Sequence, residues 1–538
     1  MLYLLGLLII SPPILWGLNR LKVRYVFAWF WAIFVCTVVW GGLLALRVGR
    51  EGAPRVIPLW TWGENAELFL RLDAVSWPFA LALAGLGLAV VLTSAQRLAD
   101  AQNASQDLPE TSSVAYEDWR NQAAILGLMA WGLLGVTAGN PLTLLLAWAG
   151  ADMLGLWILL VRITGREESE RIVLDFSARV AGILLLIWAM VVTRGEGTPL
   201  EFGQIPGAAI VYLLFACGFR LGILPLQVYF FEDLPLRRGV GLMTRMAIPA
   251  ASSLVLLVHI GATEIPAGWV GILLMFTALA GVYAGGSWLV AQNELDGRAF
   301  WMLGVGALAL GAAIRGEASA VQAWGLALLL VGGGLFLLSA RSRWMKGLVL
   351  LGGVMFTALP GMPTASGVAL YAVRPGLAWG FLLVHALLLA GFVRHLQREG
   401  ELGQVAVPAI RGAYALGLLI LPGTLMLAGG IGGGIALPAG WWAALIGVAL
   451  AGGIQLWMQK RSGNDVSQMP GDAGLWGLVR RAFAFHWLYR FFWRGYRLLG
   501  GGVAFVSVLL EGEAGILWTL LLLFLLISLI ATQGGIGG

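Results

Sequence analysis

The sequence has little charge and very few histidines, cysteines and lysines. Only 12% of its 538 residues are charged, and it contains four histidines, two cysteines and three lysines. A soluble domain carries about 25% charged residues, so a water-soluble class is excluded. The sequence shows no Cys/His cluster that suggests a metal, no glycine-rich nucleotide loop and no nucleophile–base pair. We therefore expect no cofactor and no stand-alone enzyme.

Apolar residues make up most of the chain. They account for 59% of it, the mean hydropathy is +0.86, and glycine and tryptophan reach 76 and 25 residues. This much apolar surface requires a lipid bilayer as solvent, with tryptophan at the headgroups and glycine where helices approach closely. The net charge of +6 comes from arginines in short gaps between apolar runs. That placement indicates membrane topology and needs no nucleic acid partner.

The apolar runs have the length of transmembrane helices. A membrane helix needs about 20 residues, and solidly apolar runs exclude the alternation of a β-barrel. The sequence predicts an all-α polytopic membrane protein with about sixteen spans. The spans lie near residues 2–18, 25–47, 75–96, 121–139, 141–162, 172–193, 207–230, 239–261, 267–291, 299–315, 319–340, 347–372, 377–394, 411–432, 438–458 and 514–533.

The loops between these runs alternate in charge, which predicts orientation. The basic set, assigned to the cytoplasm by the positive-inside rule, contains Arg20, Lys22, Arg24, Arg162, Arg166, Arg171, Arg237, Arg238, Arg341, Arg343, Lys346, Arg394, Arg398, Arg411, Lys460 and Arg461. The basic loop at 48–74 is the exception. Both termini are then expected outside, in a bacterial cytoplasmic membrane.

Three stretches do not resemble plain membrane helices. Residues 48–74 predict a short external hairpin that leads into a helix, and residues 97–119 predict a polar cytoplasmic loop. Residues 474–500 mix aromatic side chains with five arginines. That pattern is typical of an amphipathic helix at the cytoplasmic interface.

Two apolar runs contain internal prolines. Pro225 lies in the seventh predicted span, and Pro360 and Pro363 lie in the twelfth. Proline frees backbone carbonyls that must find other partners in lipid. Paired interrupted helices in two halves point to an inverted-repeat transporter and its ion path; two ordinary kinks are the alternative.

Ionisable residues within the spans are few: Asp152, Asp175, Arg179, Arg220, Arg245, His259 and His385. A charge at the bilayer centre costs at least about 2.5–3.5 kcal/mol, so each must pair or face water. Asp152, Arg220 and Arg245 form a candidate relay across the membrane, and a structural ion pair that fixes helix register is the alternative. The two histidines are expected to be packed or hydrogen-bonded.

Several segments resemble those of one known family. These are LFLRLDAVSWPFALAL, NPLTLLLAWAGADMLGLWILL, GFRLGILPLQVYFFEDL, LVAQNELDGRAFWMLGVG and LPGMPTASG. They are similar to the hairpin and third helix, the fifth helix, the broken seventh helix, the "Q-x-D-x-K-R" segment and the "G-x-P-P" segment of the antiporter-like subunits. Such subunits occur in respiratory complex I, membrane-bound hydrogenases and Mrp-type cation/proton antiporters. The resemblance implies an antiporter-like fold with two inverted repeats.

The resemblance also implies where a proton path would lie. The family's Glu on the fifth helix corresponds to Ala149, with Asp152 one turn on, and its seventh-helix Lys corresponds to Arg220. The eighth-helix Lys or His corresponds to Arg245, and the twelfth-helix Lys to Tyr371 or a neighbour. Further candidate pathway residues are Glu232, Asp233, Glu294, Asp296 and Arg298.

The departures share one chemical trend, which is the loss of lysine. Lys22, Lys346 and Lys460 all fall in predicted loops. A buried lysine can release and regain a proton, whereas arginine stays charged. An Asp152–Arg220 pair would also keep Asp152 ionised, because an adjacent cation favours the carboxylate.

We therefore predict a membrane-arm subunit of a complex I-like (NADH–quinone oxidoreductase-like) or Mrp-like assembly, with reduced or absent proton conduction and a scaffolding role. Its expected partners are other membrane-arm subunits. One alternative is a conducting half-channel that uses Asp152, Arg220 and Arg245. Another is the membrane partner of a soluble enzyme, as in inorganic-carbon accumulation systems. The predicted division of the chain is 1–119, 120–262 and 263–395 as two inverted repeats, 396–458, and 459–538.

Overall fold

The computed structural model describes residues 1–21, 25–46, 54–62, 66–95, 118–162, 165–197, 200–226, 238–339, 342–372, 375–398, 407–430 and 440–462, with isolated positions beyond residue 493. The chain divides into two compact units, Met1–Val466 and Ser467–Gly538. Nearly all the described residues belong to the first unit.

The described part of the first unit is helical apart from one hairpin. In chain order its helices and strands are α1 Leu2–Arg20, α2 Tyr25–Ala45, β1 Arg55–Trp62, β2 Ala66–Leu72, α3 Ser76–Thr93, α4 Asp118–Val136, α5 Pro141–Leu160, α6 Arg166–Gly195, α7 Gly207–Leu221, α8 Val240–Ile260, α9 Ala267–Val290, α10 Glu294–Ile314, α11 Ala318–Leu337, α12 Arg343–Phe356, α13 Pro375–Gln397, α14 Pro408–Gly430 and α15 Trp441–Ser462. Each of the first fifteen predicted spans falls on one of these helices.

Twelve of the described helices are long and apolar enough to cross a membrane. The exceptions are α4, α7 and α12, of which α7 and α12 have only 15 and 14 residues. This content confirms the predicted all-α polytopic class, and the chain is an integral membrane protein. The sixteenth predicted span, 514–533, lies outside the described residues except for isolated positions.

Local sequence explains where helices α5 and α10 begin. Asn140 precedes α5, and its side-chain oxygen accepts a hydrogen bond from the Thr143 backbone N–H at 2.9 Å. Asn293 caps α10 in the same way, with the Asp296 N–H as donor at 2.9 Å. An asparagine cap satisfies one of the free N–H groups of the first turn. Pro141 then occupies the first turn of α5, where its missing N–H costs nothing.

The predicted hairpin is present. Strands β1 and β2 pair antiparallel, with Arg55 opposite Leu72. The Arg71 N–H donates to the Thr137 carbonyl at 2.7 Å, and the Gly139 N–H donates to the Phe69 carbonyl at 3.0 Å. The hairpin is therefore fixed to the end of α4, directly before α5 begins.

Burial separates a central group of helices from a peripheral one. At least 94% of the most apolar stretch of α3, α8, α10 and α11 is buried, against at most 33% for α1, α2, α6 and α15. The four central helices contact one another. The peripheral helices expose apolar side chains such as Phe30, Trp188 and Trp457, as expected for helices that face lipid.

Both predicted helix breaks are present. Helix α7 ends before Pro225 at Gly222, whose φ of 75° lies in the left-handed region that ends helices. Helix α12 ends at Phe356, before Pro360 and Pro363. After a turn, the chain resumes as one 3-10 turn, Ala365–Val368, and one α-turn, Ala369–Ala372. The sequence did not predict that α8 contains a π-helical stretch, Met243–Ala247.

Some predictions concern residues outside the described part of the chain. These are most of the loop 97–119, most of the amphipathic segment 474–500, and Glu232 and Asp233. The division into repeats and the orientation with both termini outside stay predictions.

Candidate functional site

A buried ion pair joins α5 to α7. Arg220 holds both carboxylate oxygens of Asp152, with Nη1–Oδ2 and Nη2–Oδ1 distances of 2.6 and 3.1 Å. The exposed fractions of the two side chains are 0% and 2%. The guanidinium also lies 4.3 Å above the Trp148 ring, and the Trp148 indole donates to the Ser252 hydroxyl on α8 at 2.8 Å. A two-point contact of this kind fixes the guanidinium plane as well as its position.

A second arginine reaches the same carboxylate from α6. Arg179 Nη1 lies 3.7 Å from Asp152 Oδ1, and its Nη2 lies 2.6 Å from Asp175 Oδ2. Arg179 Nη1 also donates to the Thr244 carbonyl of α8 at 3.2 Å. Asp152 is therefore shared by two guanidinium groups. The resulting chain of charges runs from Arg220 through Asp152 and Arg179 to Asp175.

The relay predicted from sequence differs from this arrangement at one position. Arg245 is buried, at 6% exposure, and lies in the π-helical stretch of α8. The structure gives it no ion pair with Asp152 in the described part of the chain; Arg179 occupies that place instead. The i,i+4 spacing of Asp175 and Arg179 was the signal in the sequence, since residues four apart share a helix face.

The other described residues of the predicted pathway, Glu294, Asp296 and Arg298, lie in the first turns of α10. Asp296 belongs to the helix cap, where Asn293 donates to its carboxylate, and Arg298 is buried at 4% exposure. Glu294 accepts a hydrogen bond from Arg238 at 2.6 Å. Arg238 also donates to the carbonyls of Phe336 and Leu338 at 2.7 and 2.9 Å. Arg238 lies in a bend before α8, as the predicted loop requires, but it is buried. It bridges α10 and the end of α11, which the sequence did not predict.

In the second half of the chain, aromatic rings surround the position predicted to replace a lysine. The Tyr371 ring stacks on His385, with centroids 6.3 Å apart, and Trp324 and Phe356 contact His385 edge-on. His385 Nε2 lies 3.0 Å from the Phe356 carbonyl, which can only accept, so the imidazole donates. His385 thus satisfies a carbonyl released where α12 breaks, as the proline argument requires.

His385→Phe is expected to destabilise the protein by about 1–3 kcal/mol, because a buried carbonyl loses its donor. The measurement is the apparent melting temperature in detergent, followed by tryptophan fluorescence. His259→Phe is the matched control, since the His259 ring contacts Phe202 and its side chain makes no hydrogen bond among the described residues. Equal melting temperatures for the two variants would contradict the assignment.

The positions of two lysines correct the prediction that all three lie in loops. Lys346 lies in the first turn of α12 and donates to the Arg398 carbonyl at 2.6 Å, and Lys460 lies in the last turns of α15. Lys22 lies outside the described residues. Helix-end lysines can extend their charge to the interface, so a helical position there is compatible with lipid.

An apolar groove of about 1040 Å³ lies between α1, α4 and α5. Trp16, Trp131 and Trp157 line it, with Arg120 and Arg162 among the lining residues. Asp152, Arg179, Arg220 and Arg245 do not line it. The groove is therefore separate from the charged cluster.

Fold and site together define an all-α polytopic membrane protein with a buried arginine–aspartate cluster. No family model matches the chain, and no curated protein matches it. The solved structures that share its fold include three at 15–16% identity.

The first is a chain of the Mrp complex from Dietzia sp. DQ12-45-1b, with a TM-score of 0.67 at 15% identity over 99% of this chain and 62% of that one. The present chain thus spans 62% of the length of that Mrp-complex chain. The second belongs to the membrane-bound sulfane sulfur reductase, an archaeal respiratory membrane complex, with a TM-score of 0.66 at 15% identity over 98% and 99% of the two chains.

The third belongs to respiratory complex I from Thermus thermophilus, with a TM-score of 0.59 at 16% identity over 81% of this chain and 100% of that one. The chain therefore has the antiporter-like fold that its sequence motifs predicted.

Proposed function

We propose that this chain is a membrane-arm subunit of a complex I-like or Mrp-like assembly, that its own proton conduction is reduced or lost, and that it serves as a scaffold. The structures that share its fold are chains of multi-subunit membrane complexes, which supports the first part. The observation that carries the second part is the two-point contact of Arg220 with Asp152 at 2.6 and 3.1 Å.

Arginine and lysine differ in what they can do at this position. A buried lysine can give up a proton and take it back, whereas a guanidinium keeps its charge in proteins. Arg220 therefore supplies the electric field of a cation without a transferable proton. Arg179 adds a second permanent positive charge at 3.7 Å from the same carboxylate.

The second half supports the same proposal. At the position that the resemblance assigns to a titratable amine, Tyr371 stacks on His385. The His385 donor is engaged by the Phe356 carbonyl at 3.0 Å. A proton that moved through His385 would have to release this bond, and the freed carbonyl would then lack a donor.

The test is proton pumping by the purified complex in vesicles, with a double variant, Asp152→Leu with Arg220→Met. Removing both partners avoids an orphaned buried charge. We expect the variant to assemble and the ratio of protons pumped to electrons transferred to stay at its wild-type value. A large loss of pumping in a fully assembled complex would overturn the proposal that this chain has reduced or lost proton conduction.

The row of charged side chains also favours a second candidate function, a half-channel that still conducts protons or another ion. Arg220, Asp152, Arg179 and Asp175 form a continuous series of contacts, and the Asp175 side chain at its end is 23% exposed. In this case Arg245 and the groups at Glu232, Asp233, Asp296 and Arg298 would extend the path. Asp152→Asn in the same assay separates the two: abolished ion flux favours this candidate, and unchanged flux contradicts it.

A further inference from the structure

The charged cluster of the first half is not neutral. It contains three buried arginines, Arg179, Arg220 and Arg245, and two aspartates, Asp152 and Asp175. One positive charge is therefore in surplus among the described residues. Their ion pairs engage both aspartates with Arg179 and Arg220, which leaves the surplus on Arg245.

Arg245 has an unused donor in a buried position. Its residue exposure is 6%, and its Nη2 atom is buried with no hydrogen-bond partner among the described residues. A buried charged donor without a partner costs more than a lost neutral hydrogen bond. Buried polar groups are nearly always satisfied, so this atom points to a ligand.

Among the described residues, one carboxylate acts on Arg245. Asp175 attracts Arg245 and Arg179 repels it, but Asp175 is already held by Arg179 at 2.6 Å. Arg298 also lies within electrostatic range of Arg245. The described cations around Arg245 outnumber this carboxylate, which favours an anion from solution.

The backbone at Arg245 is also unusual. Met243–Ala247 is π-helical within an otherwise α-helical span, and such single-turn insertions are frequent at functional sites. Thr244, next to Arg245, accepts a hydrogen bond from Arg179 through its carbonyl at 3.2 Å. The π-helical stretch thus holds the Arg245 side chain beside the cluster on α6.

We propose that a small monovalent inorganic anion of the halide class binds at Nη2 of Arg245, between α6 and α8. One bound monovalent anion balances the extra positive charge and accepts a hydrogen bond from Arg245 Nη2. Its role is structural, since it fixes α8 against α6. The proposal holds whether or not the subunit conducts protons.

The experiment is equilibrium binding of radioactive chloride to the purified full-length chain in detergent. Wild type is expected to bind one chloride per chain saturably, and Arg245→Gln to weaken binding about tenfold or more, because a charge-assisted hydrogen bond is lost. Arg343→Gln, which removes an exposed arginine at the start of α12, is the matched control and should bind as wild type does. Absence of saturable binding, or equal binding by wild type and Arg245→Gln, overturns the proposal.

A second measurement covers the case in which Arg245→Gln does not fold. Wild type in bromide is examined by anomalous diffraction, where a bromide peak within hydrogen-bond distance of Arg245 Nη2 is expected. Bromide bound elsewhere, or none bound, overturns the proposal. Neither measurement depends on proton pumping. Failure of the anion-site proposal is therefore distinguishable from failure of the proposal that this subunit does not conduct protons.

Discussion

Arg220→Met alone is expected to destabilise the protein by about 3–5 kcal/mol, since breaking a buried ion pair from one side leaves the other charge uncompensated. Asp152 has 2% side-chain exposure, so water cannot replace the guanidinium. The stacking of Arg220 on Trp148 at 4.3 Å is lost as well. Arg179 at 3.7 Å retains some compensation, which places the expected value at the lower end of the range.

The double variant Asp152→Leu with Arg220→Met is expected to recover most of this loss, because apolar residues of similar volume often replace a buried ion pair without cost. Arg179 keeps Asp175 as its partner at 2.6 Å. The measurement is a double-mutant cycle of thermal or denaturant unfolding in detergent. Additive losses in the double variant, with no recovery, would show that the pair is not coupled as the geometry requires.

Arg238→Met is expected to destabilise the protein by about 3 kcal/mol, nearly as much as Arg220→Met, through a different mechanism. The substitution removes the hydrogen-bond donor of the Glu294 carboxylate and of the Phe336 and Leu338 carbonyls at the end of α11. Glu294 has 14% side-chain exposure, so part of its charge can be solvated.

Two variants make the Arg238 result specific. Glu294→Gln keeps an acceptor for Arg238, so its loss of stability should be clearly smaller than that of Arg238→Met. Arg343→Gln removes a cation that is exposed at a helix end and should leave unfolding unchanged. If Arg238→Met unfolds at the same temperature as Arg343→Gln, the bridge between α10 and α11 does not stabilise the protein.

The proposal that this chain does not conduct protons rests on side-chain chemistry. Helix α7 ends before Pro225, and α12 ends before Pro360 and Pro363. The groups beside these two helix ends carry the argument. Arg220 lies one residue before the end of α7, and the α12 break is followed by a Tyr371 that stacks on His385.

The sequence alone determined the membrane class, the positions of fifteen helices, the hairpin and both helix breaks. These features depend on local properties: the length of an apolar run, the missing N–H of proline, and a polar stretch rich in β-formers. The sequence also indicated that Asp152 and Arg220 pair, because a charge inside a span needs a partner, although the two residues lie 68 positions apart.

Only the tertiary structure decided which buried charges meet. Whether Arg179 or Arg245 reaches Asp152 depends on how α6 and α8 rotate about their axes, and on the π-helical stretch Met243–Ala247. The burial of Arg238 depends on the end of α11, about a hundred residues away. Apolar patterning in a bilayer does not fix such rotations, because lipid is as apolar as the helices themselves. Close packing of side chains from distant segments fixes them instead.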